Sequence, residues 1–174
     1  MKERPIVITG FMAAGKTSVA RALAGQLRCA AIDLDEKITS LSRHTPGELI
    51  TKRGETAFRQ IETQALRHSL EAGARVIALG GGAWTISDNR RLITDFDGVT
   101  VWLDTPFELC WKRILAAGDD RPLARDQEQA SALYQTRRPL YELAQLRLKA
   151  TEEVEANELA RRLVTMLNEL RKPT

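Results

Sequence analysis

The chain has 174 residues, 43% of them hydrophobic and 28% charged, with a formal net charge of +3. That is enough apolar material for one compact domain with a core, and the interspersed signs of charge exclude the one-sided basic surface of a nucleic-acid binder. No apolar stretch approaches the ~20 residues that span a bilayer. The first strand begins within about five residues of Met1, which leaves no room for a signal peptide's apolar segment. Cys29 and Cys110 stand apart, without metal-ligand or redox spacing. Together these features predict a cytoplasmic protein with two reduced thiols and no membrane or nucleic-acid partner.

The first predicted strand is Pro5–Thr9. It runs straight into Gly10-Phe11-Met12-Ala13-Ala14-Gly15-Lys16-Thr17, which has the pattern G-x-x-x-x-G-K-[ST]. A glycine-bounded turn between strand and helix points several backbone N–H groups at one spot, where the positive end of the helix adds to them. Such a nest binds a polyphosphate, with Lys16 reaching the outer phosphates and Thr17 offering its hydroxyl to Mg²⁺. An ordinary strand-to-helix turn does not explain a cation at a helix start, where it is unfavourable unless an anion is bound. The helix that follows is predicted over Lys16–Leu27.

A second strand, Ala30–Asp33, ends at Asp33-Leu34-Asp35. Residues i and i+2 of a strand face the same side, so both carboxylates are expected at the rim of the crevice. There they suit Mg²⁺ and a reacting hydroxyl; alternatively Asp35 caps the next predicted helix, Asp35–Leu41. Helix Glu55–Ala72 carries Arg59 within its first turns, against the helix dipole. Either that arginine is solvated or a carboxylate or phosphate holds it.

The third strand, Arg75–Leu79, is followed by Gly80-Gly81-Gly82. A tight turn needs one or two glycines. Three permit close backbone approach to a ligand and leave free N–H donors. Trp84, just beyond, is a candidate for lining the pocket. Helix Asp88–Thr94 leads to strand Val99–Leu103 and then to helix Pro106–Ala116, where Arg113 either complements the helix C-terminus or stacks on a base. The polar, charged stretch at residues 117–126, with Arg121 before Pro122, is either a surface loop or a lid over a triphosphate. Helix Glu128–Leu143 contains Arg137-Arg138-Pro139-Leu140-Tyr141, where the proline suggests a kink that aims one arginine inward. Strand Leu146–Ala150 and helix Asn157–Leu170 complete the pattern. Strand–helix alternation implies an α/β fold with a mostly parallel sheet and helices on both faces, its ligand site at the carboxyl ends of the strands.

Taken in order and spacing, Gly10 to Thr17, Asp33-x-Asp35, Gly54-Glu55-x-x-Phe58-Arg59-x-x-Glu62, Gly80-Gly81-Gly82, Arg121-Pro122-Leu123 and Arg137-x-Pro139-Leu140-Tyr141 resemble the shikimate kinase family. The resemblance implies a three-layer, nucleoside-monophosphate-kinase-like fold with a five-stranded parallel sheet and a mobile lid. It implies one kinase domain over residues 1–174, a lid at about 117–126 and an acceptor-binding segment at about 34–62. It also implies ATP as co-substrate, Mg²⁺ as cofactor, and phosphoryl transfer to shikimate in aromatic amino-acid biosynthesis by a protein expected to be a monomer.

The implied roles are these. Ala13, Ala14, Gly15, Lys16, Thr17 and Ser18 hold ATP; Thr17 and Asp33 serve the metal; Arg113 lies against adenine. Asp35 engages the acceptor hydroxyls as general base. Arg59 and Arg137 clamp its carboxylate beside Gly80, Gly81 and Gly82, and Arg121 closes over the phosphates as a catalytic cation. Two departures stand out: Ala13 where relatives usually have Gly, and Thr151-Glu152-Glu153-Val154 without the basic residue often found near adenine. The added methyl is harmful only if Ala13 needs positive φ. A gluconate-kinase-like enzyme shares the fold, but Arg59, Arg137 and the triple glycine argue against it. A nucleotide-dependent switch is the other alternative, with Asp104 as its metal acid; under the kinase reading Asp104 only caps the following helix.

Overall fold

The structure, a computed structural model, describes residues 3–118, 126–152 and 154–170. Five strands form one sheet: β1 (Ile6–Thr9), β2 (Ala31–Asp33), β3 (Val76–Ala78), β4 (Val99–Asp104) and β5 (Leu146–Lys149). All pairings are parallel and the order is β2-β3-β1-β4-β5. Strand β1 is central. Its Ile6, Val7 and Ile8 are at most 3% exposed, as a parallel strand covered on both faces requires. The chain builds the sheet outward on one side of β1 and then on the other. That reversal is where open α/β sheets bind ligands, beyond the carboxyl ends of their strands.

Among the described residues eight α-helices accompany the sheet: α1 (Lys16–Leu27), α2 (Leu34–Ser42), α3 (Pro46–Arg53), α4 (Glu55–Glu71), α5 (Ser87–Asp95), α6 (Phe107–Ala117), α7 (Gln127–Tyr141) and α8 (Ala156–Leu170). Every predicted strand and helix is present, with ends shifted by a residue or two. Helix α3 was not foreseen. It starts with a capping box, in which the Glu48 N–H donates to Thr45 Oγ1 and the Thr45 N–H donates to Glu48 Oε2, and Pro46 opens its first turn. That motif satisfies two amides that otherwise lack partners. A short 3₁₀ turn at Ala83–Thr85 follows the triple glycine.

The core forms between sheet and helices and includes Leu23, Leu66, Ile77, Leu103 and Leu163. Trp84 belongs to it rather than to a pocket wall: it is 3% exposed, and its indole N–H donates to the Leu140 carbonyl at 2.7 Å. This corrects the sequence expectation and has a use, since it ties the 3₁₀ turn to the end of α7. Cys110 is buried and Cys29 half-buried, and both are free thiols. Among the described residues no helix is long and apolar enough to cross a membrane.

Helix α8 packs against α1, the helix that carries Lys16 and Thr17, and Leu163 is fully buried on it. Leu163→Ala is expected to cost about 2–5 kcal/mol through lost burial and a residual cavity, read as a lower urea midpoint with an unchanged slope. A loss below about 1 kcal/mol would show that the contact relaxes or is peripheral.

Candidate active site

One cavity of about 1150 Å³ opens at the carboxyl ends of the strands. The loop from Gly10 to Gly15 forms its floor. Helix α1 has neither a side-chain cap nor an acid in its first turn, so its first amides face a site suited to an anion. Lys16 is 9% exposed, and its Nζ donates to the Phe11 carbonyl at 2.7 Å. The loop is braced from α6: Arg113 Nη1 donates to the carbonyls of Ala13 at 3.2 Å and Ala14 at 3.1 Å. From α7, Tyr134 packs edge-on to Phe11 with ring centroids 5.1 Å apart.

Asp33 and Asp35 converge on the cavity, but not because they alternate along a strand. Asp33 ends β2, and its Oδ1 accepts the Glu36 N–H as the cap of α2. Asp35 lies in the first turn of that helix. The capping role expected of Asp35 therefore belongs to Asp33. The other Asp33 oxygen, Oδ2, accepts the Thr17 hydroxyl in a short hydrogen bond. A hydroxyl and a carboxylate beside a phosphate-binding loop are the hard oxygen donors that Mg²⁺ takes, with phosphate and water completing its shell. No cluster of three or more His, Cys, Asp or Glu side chains suited to a metal occurs among the described residues. The donor set thus fits Mg²⁺ bound partly by its nucleotide.

At the other end of the cavity the triple glycine explains itself by packing. A Cβ on Gly80 would sit 2.6 Å from Asp35 Oδ1 and 2.7 Å from Glu62 Oε1. One on Gly82 would sit 2.7 Å from Arg59 Cζ. At Gly81 the neighbours are the Met12 amide nitrogen at 3.2 Å and Arg137 Nη1 at 3.7 Å. Acids and guanidinium groups lie directly on this backbone, so side chains there would displace them.

Arg59 is held by two glutamates, with Nη1 donating to Glu62 Oε2 at 2.8 Å and Nη2 to Glu55 Oε1 at 3.0 Å. Burial works against its charge, but the two carboxylates outweigh burial and raise its pKa. Glu62 is 1% exposed, and burial, aided by the nearby Asp35, pushes its carboxyl up to about 7 despite Arg59 and Arg137. Burial therefore beats the ion pair for Glu62, the usual balance for a desolvated acid.

Arg137 is 7% exposed and faces both Glu62 and the Tyr141 hydroxyl. Of the two adjacent arginines it is the inward one, as expected; Arg138 stays at the surface near Glu142. Tyr141 is pushed up by burial, stays protonated, and donates to the Gly81 carbonyl at 2.6 Å.

Every predicted site residue among the described ones except Ser18 is placed above, and Ser18 lines the cavity as well. Arg121 and most of the expected lid at 117–126 lie outside the described residues. The sequence reading did not single out Glu62 or Tyr141 as site residues. The i, i+3 spacing of Glu62 from Arg59 was a signal for the first. The cavity wall beyond Arg113 includes Ala150, Thr151, Glu152 and Val154, and Lys112 pairs with Glu152 there. Asp104 does not line the cavity. It accepts from Arg147 Nε at 2.9 Å and Nη2 at 2.7 Å, and α6 has no side-chain cap. This corrects both readings of Asp104, as metal acid and as helix cap.

A parallel sheet with this phosphate loop after its first strand, and acids and arginines across from it, defines a P-loop phosphotransferase. The shikimate kinase family model matches residues 12–168. A shikimate kinase of Ruegeria pomeroyi is 35% identical over 167 residues, covering 94% of this chain and 85% of the relative. The solved shikimate kinase from Acinetobacter baumannii in complex with shikimate superposes with a TM-score of 0.90 at 32% identity, over 98% of this chain and 96% of that one. The enzyme from Bacteroides thetaiotaomicron gives 0.83 at 32% identity, over 95% and 98%. The chain belongs to the shikimate kinase family.

Ala13 adopts φ 57°, the left-handed region, so its methyl is strained by about 1–2 kcal/mol. Ala13→Gly is expected to raise the unfolding free energy by about 1 kcal/mol. By favouring the binding geometry of the loop it should also tighten ATP up to about fivefold. Urea unfolding and nucleotide titration check both. No change in either would show the methyl to be harmless.

Proposed function

We propose that this chain transfers the γ-phosphoryl group of ATP to the 3-hydroxyl of shikimate, giving shikimate 3-phosphate and ADP. The observation that carries the reading is the cavity's two ends. A phosphate cradle faces Asp35, which is flanked by Arg59, Arg137 and the bare backbone of Gly80–Gly82. A small hydroxy-carboxylate has the matching chemistry, with an anion for the guanidinium groups and a hydroxyl for the acid.

In this reading the amides from Ala13 to Ser18 and the Lys16 ammonium hold the phosphates and take up the charge that develops on transfer. Thr17 and Asp33 are the residues that would hold Mg²⁺, whose chemistry when bound is to neutralise phosphate charge. Arg59 and Arg137 grip the acceptor carboxylate and so fix which hydroxyl points at the phosphates; such positioning supplies much of the rate in phosphoryl transfer. Asp35 accepts the proton of that hydroxyl as it attacks. Arg113 holds the cradle through Ala13 and Ala14 and forms the wall on which adenine rests. Arg121 enters on its sequence alone, as a cation for the phosphates. The acceptor-binding segment is residues 34–62, and the single domain acts as a monomer in the cytoplasm.

ADP release with purified protein, ATP and Mg²⁺ tests the reading directly. Shikimate is expected to raise it strongly and gluconate not at all; equal rates with and without shikimate would refute the assignment. Asp35→Asn is expected to lower turnover by about 10²-fold or more while ATP affinity stays within about twofold. Near-normal turnover would remove Asp35 from the chemistry. For the metal, Asp33→Ala is expected to weaken Mg²⁺-dependent nucleotide binding and Asp104→Ala to leave it unchanged. The reverse order would favour a nucleotide switch.

A further inference from the structure

Glu62 presents an unusual combination. It is 1% exposed yet lines the cavity. Its Oε2 accepts from Arg59, and its Oε1 has no hydrogen-bond partner. That free oxygen and Asp35 Oδ1 crowd the same point above Gly80. The charged groups that face Glu62 are Arg59 on its own helix, Asp35 from α2 and Arg137 from α7; the glycine loop after β3 contributes none. The more exposed Glu55 sits at the rim on Arg59.

A carboxylate acceptor arrives ionised at neutral pH, since an ordinary carboxyl group holds its proton only below about 4. Once gripped by Arg59 and Arg137 it adds a negative charge close to Glu62, which is itself shielded from water. It also competes with Glu62 for the same guanidinium. A buried charge that loses part of its partner is costly, and the cheapest relief is to neutralise it. We propose that Glu62 is the proton-linked residue of the acceptor site and takes up one proton from solvent when shikimate docks. As a neutral acid it gains a donor for the oxygen that now has none, and it leaves Arg59 to the substrate. Its elevated position near 7 puts the switch in the working range. The inference rests on the acceptor reading given under Proposed function.

The sign follows directly. At about pH 8 the free protein's Glu62 is mostly ionised, so docking should draw in more than about half a proton; at about pH 6 it is already protonated and uptake should fade. Shikimate affinity should accordingly weaken above about pH 7, approaching tenfold per pH unit. Calorimetric titration of shikimate into the whole protein, in HEPES and in Tris, reads the uptake from the dependence of heat on buffer ionisation. Glu62→Gln is expected to abolish the uptake and flatten the pH dependence of affinity. A purely structural Glu62 would instead weaken binding equally at every pH.

Shikimate binding with the same heat in both buffers at about pH 8, or uptake that persists in the glutamine variant, would overturn the proposal. Should that variant not fold, the infrared difference spectrum of the parent decides: shikimate is expected to add a protonated-carboxyl C=O band, and its absence overturns the assignment. No shikimate binding at all would overturn the acceptor reading and this inference with it.

Discussion

The constraint on which the rest of this site depends is that a side chain at Gly80 or Gly82 would displace the charged groups packed on that backbone. Asp35 and Glu62 occupy the space of one missing Cβ and Arg59 that of the other. These three residues come from α2 and α4, which the strand β3 loop would otherwise hold apart. Bare backbone lets four charged groups, Arg137 among them, pack against one loop. Their mutual attraction then offsets part of the cost of taking each out of water. The loop itself is fixed from behind, by the Tyr141 hydroxyl on the Gly81 carbonyl and by the Trp84 indole on the end of α7. Tyr141 and Trp84 are themselves buried, so leaving either donor unmade would cost about 1–3 kcal/mol.

The phosphate end obeys the opposite logic. Here the backbone is the functional group and side chains exist to shape it. Arg113 reaches from α6 to two carbonyls of the loop, and Lys16 closes on a third. These bonds hold the loop in one shape, and a fixed run of backbone amides is what an anion site needs. The left-handed Ala13 is part of this shape, and its strain is held by the Arg113 contacts around it.

Legibility in the sequence followed the range of the interactions. The cradle from Gly10 to Thr17 and the parallel sheet were readable because turn chemistry and periodicity are local. Helix α3 was readable in principle, since Thr45-Pro46-Gly47-Glu48 is a capping box, but eight residues carry little periodicity. The pairing of Asp33 with Asp35 was anticipated for the wrong reason. The helix starts one residue earlier than expected, so Asp33 ends the strand as the helix cap and Asp35 sits in the helix's first turn. Trp84 beside three glycines looked like pocket wall, and only the distant Leu140 carbonyl explains its burial. Glu62 was visible as part of the family pattern, but its role was not: its burial against Asp35 and the glycine loop joins elements distant in sequence.

That glutamate changes how the acceptor end works as a machine. If Arg59 were free in solvent, it would bind any passing anion and lose side-chain freedom on each occasion. Tethered between Glu55 and Glu62, it is already in place, so less order remains to be imposed when substrate binds. In the proposed reading the tether has its own opposing effect, because a carboxylate substrate would share the guanidinium with acids already bonded to it. Two devices reduce that opposition. Arg137, hydrogen-bonded to Tyr141, would supply a second cation to the same spot. Burial meanwhile weakens the hold of Glu62 on its charge. Preorganisation and release are thus built from the same three residues, and the balance between them is set by how deeply Glu62 is buried.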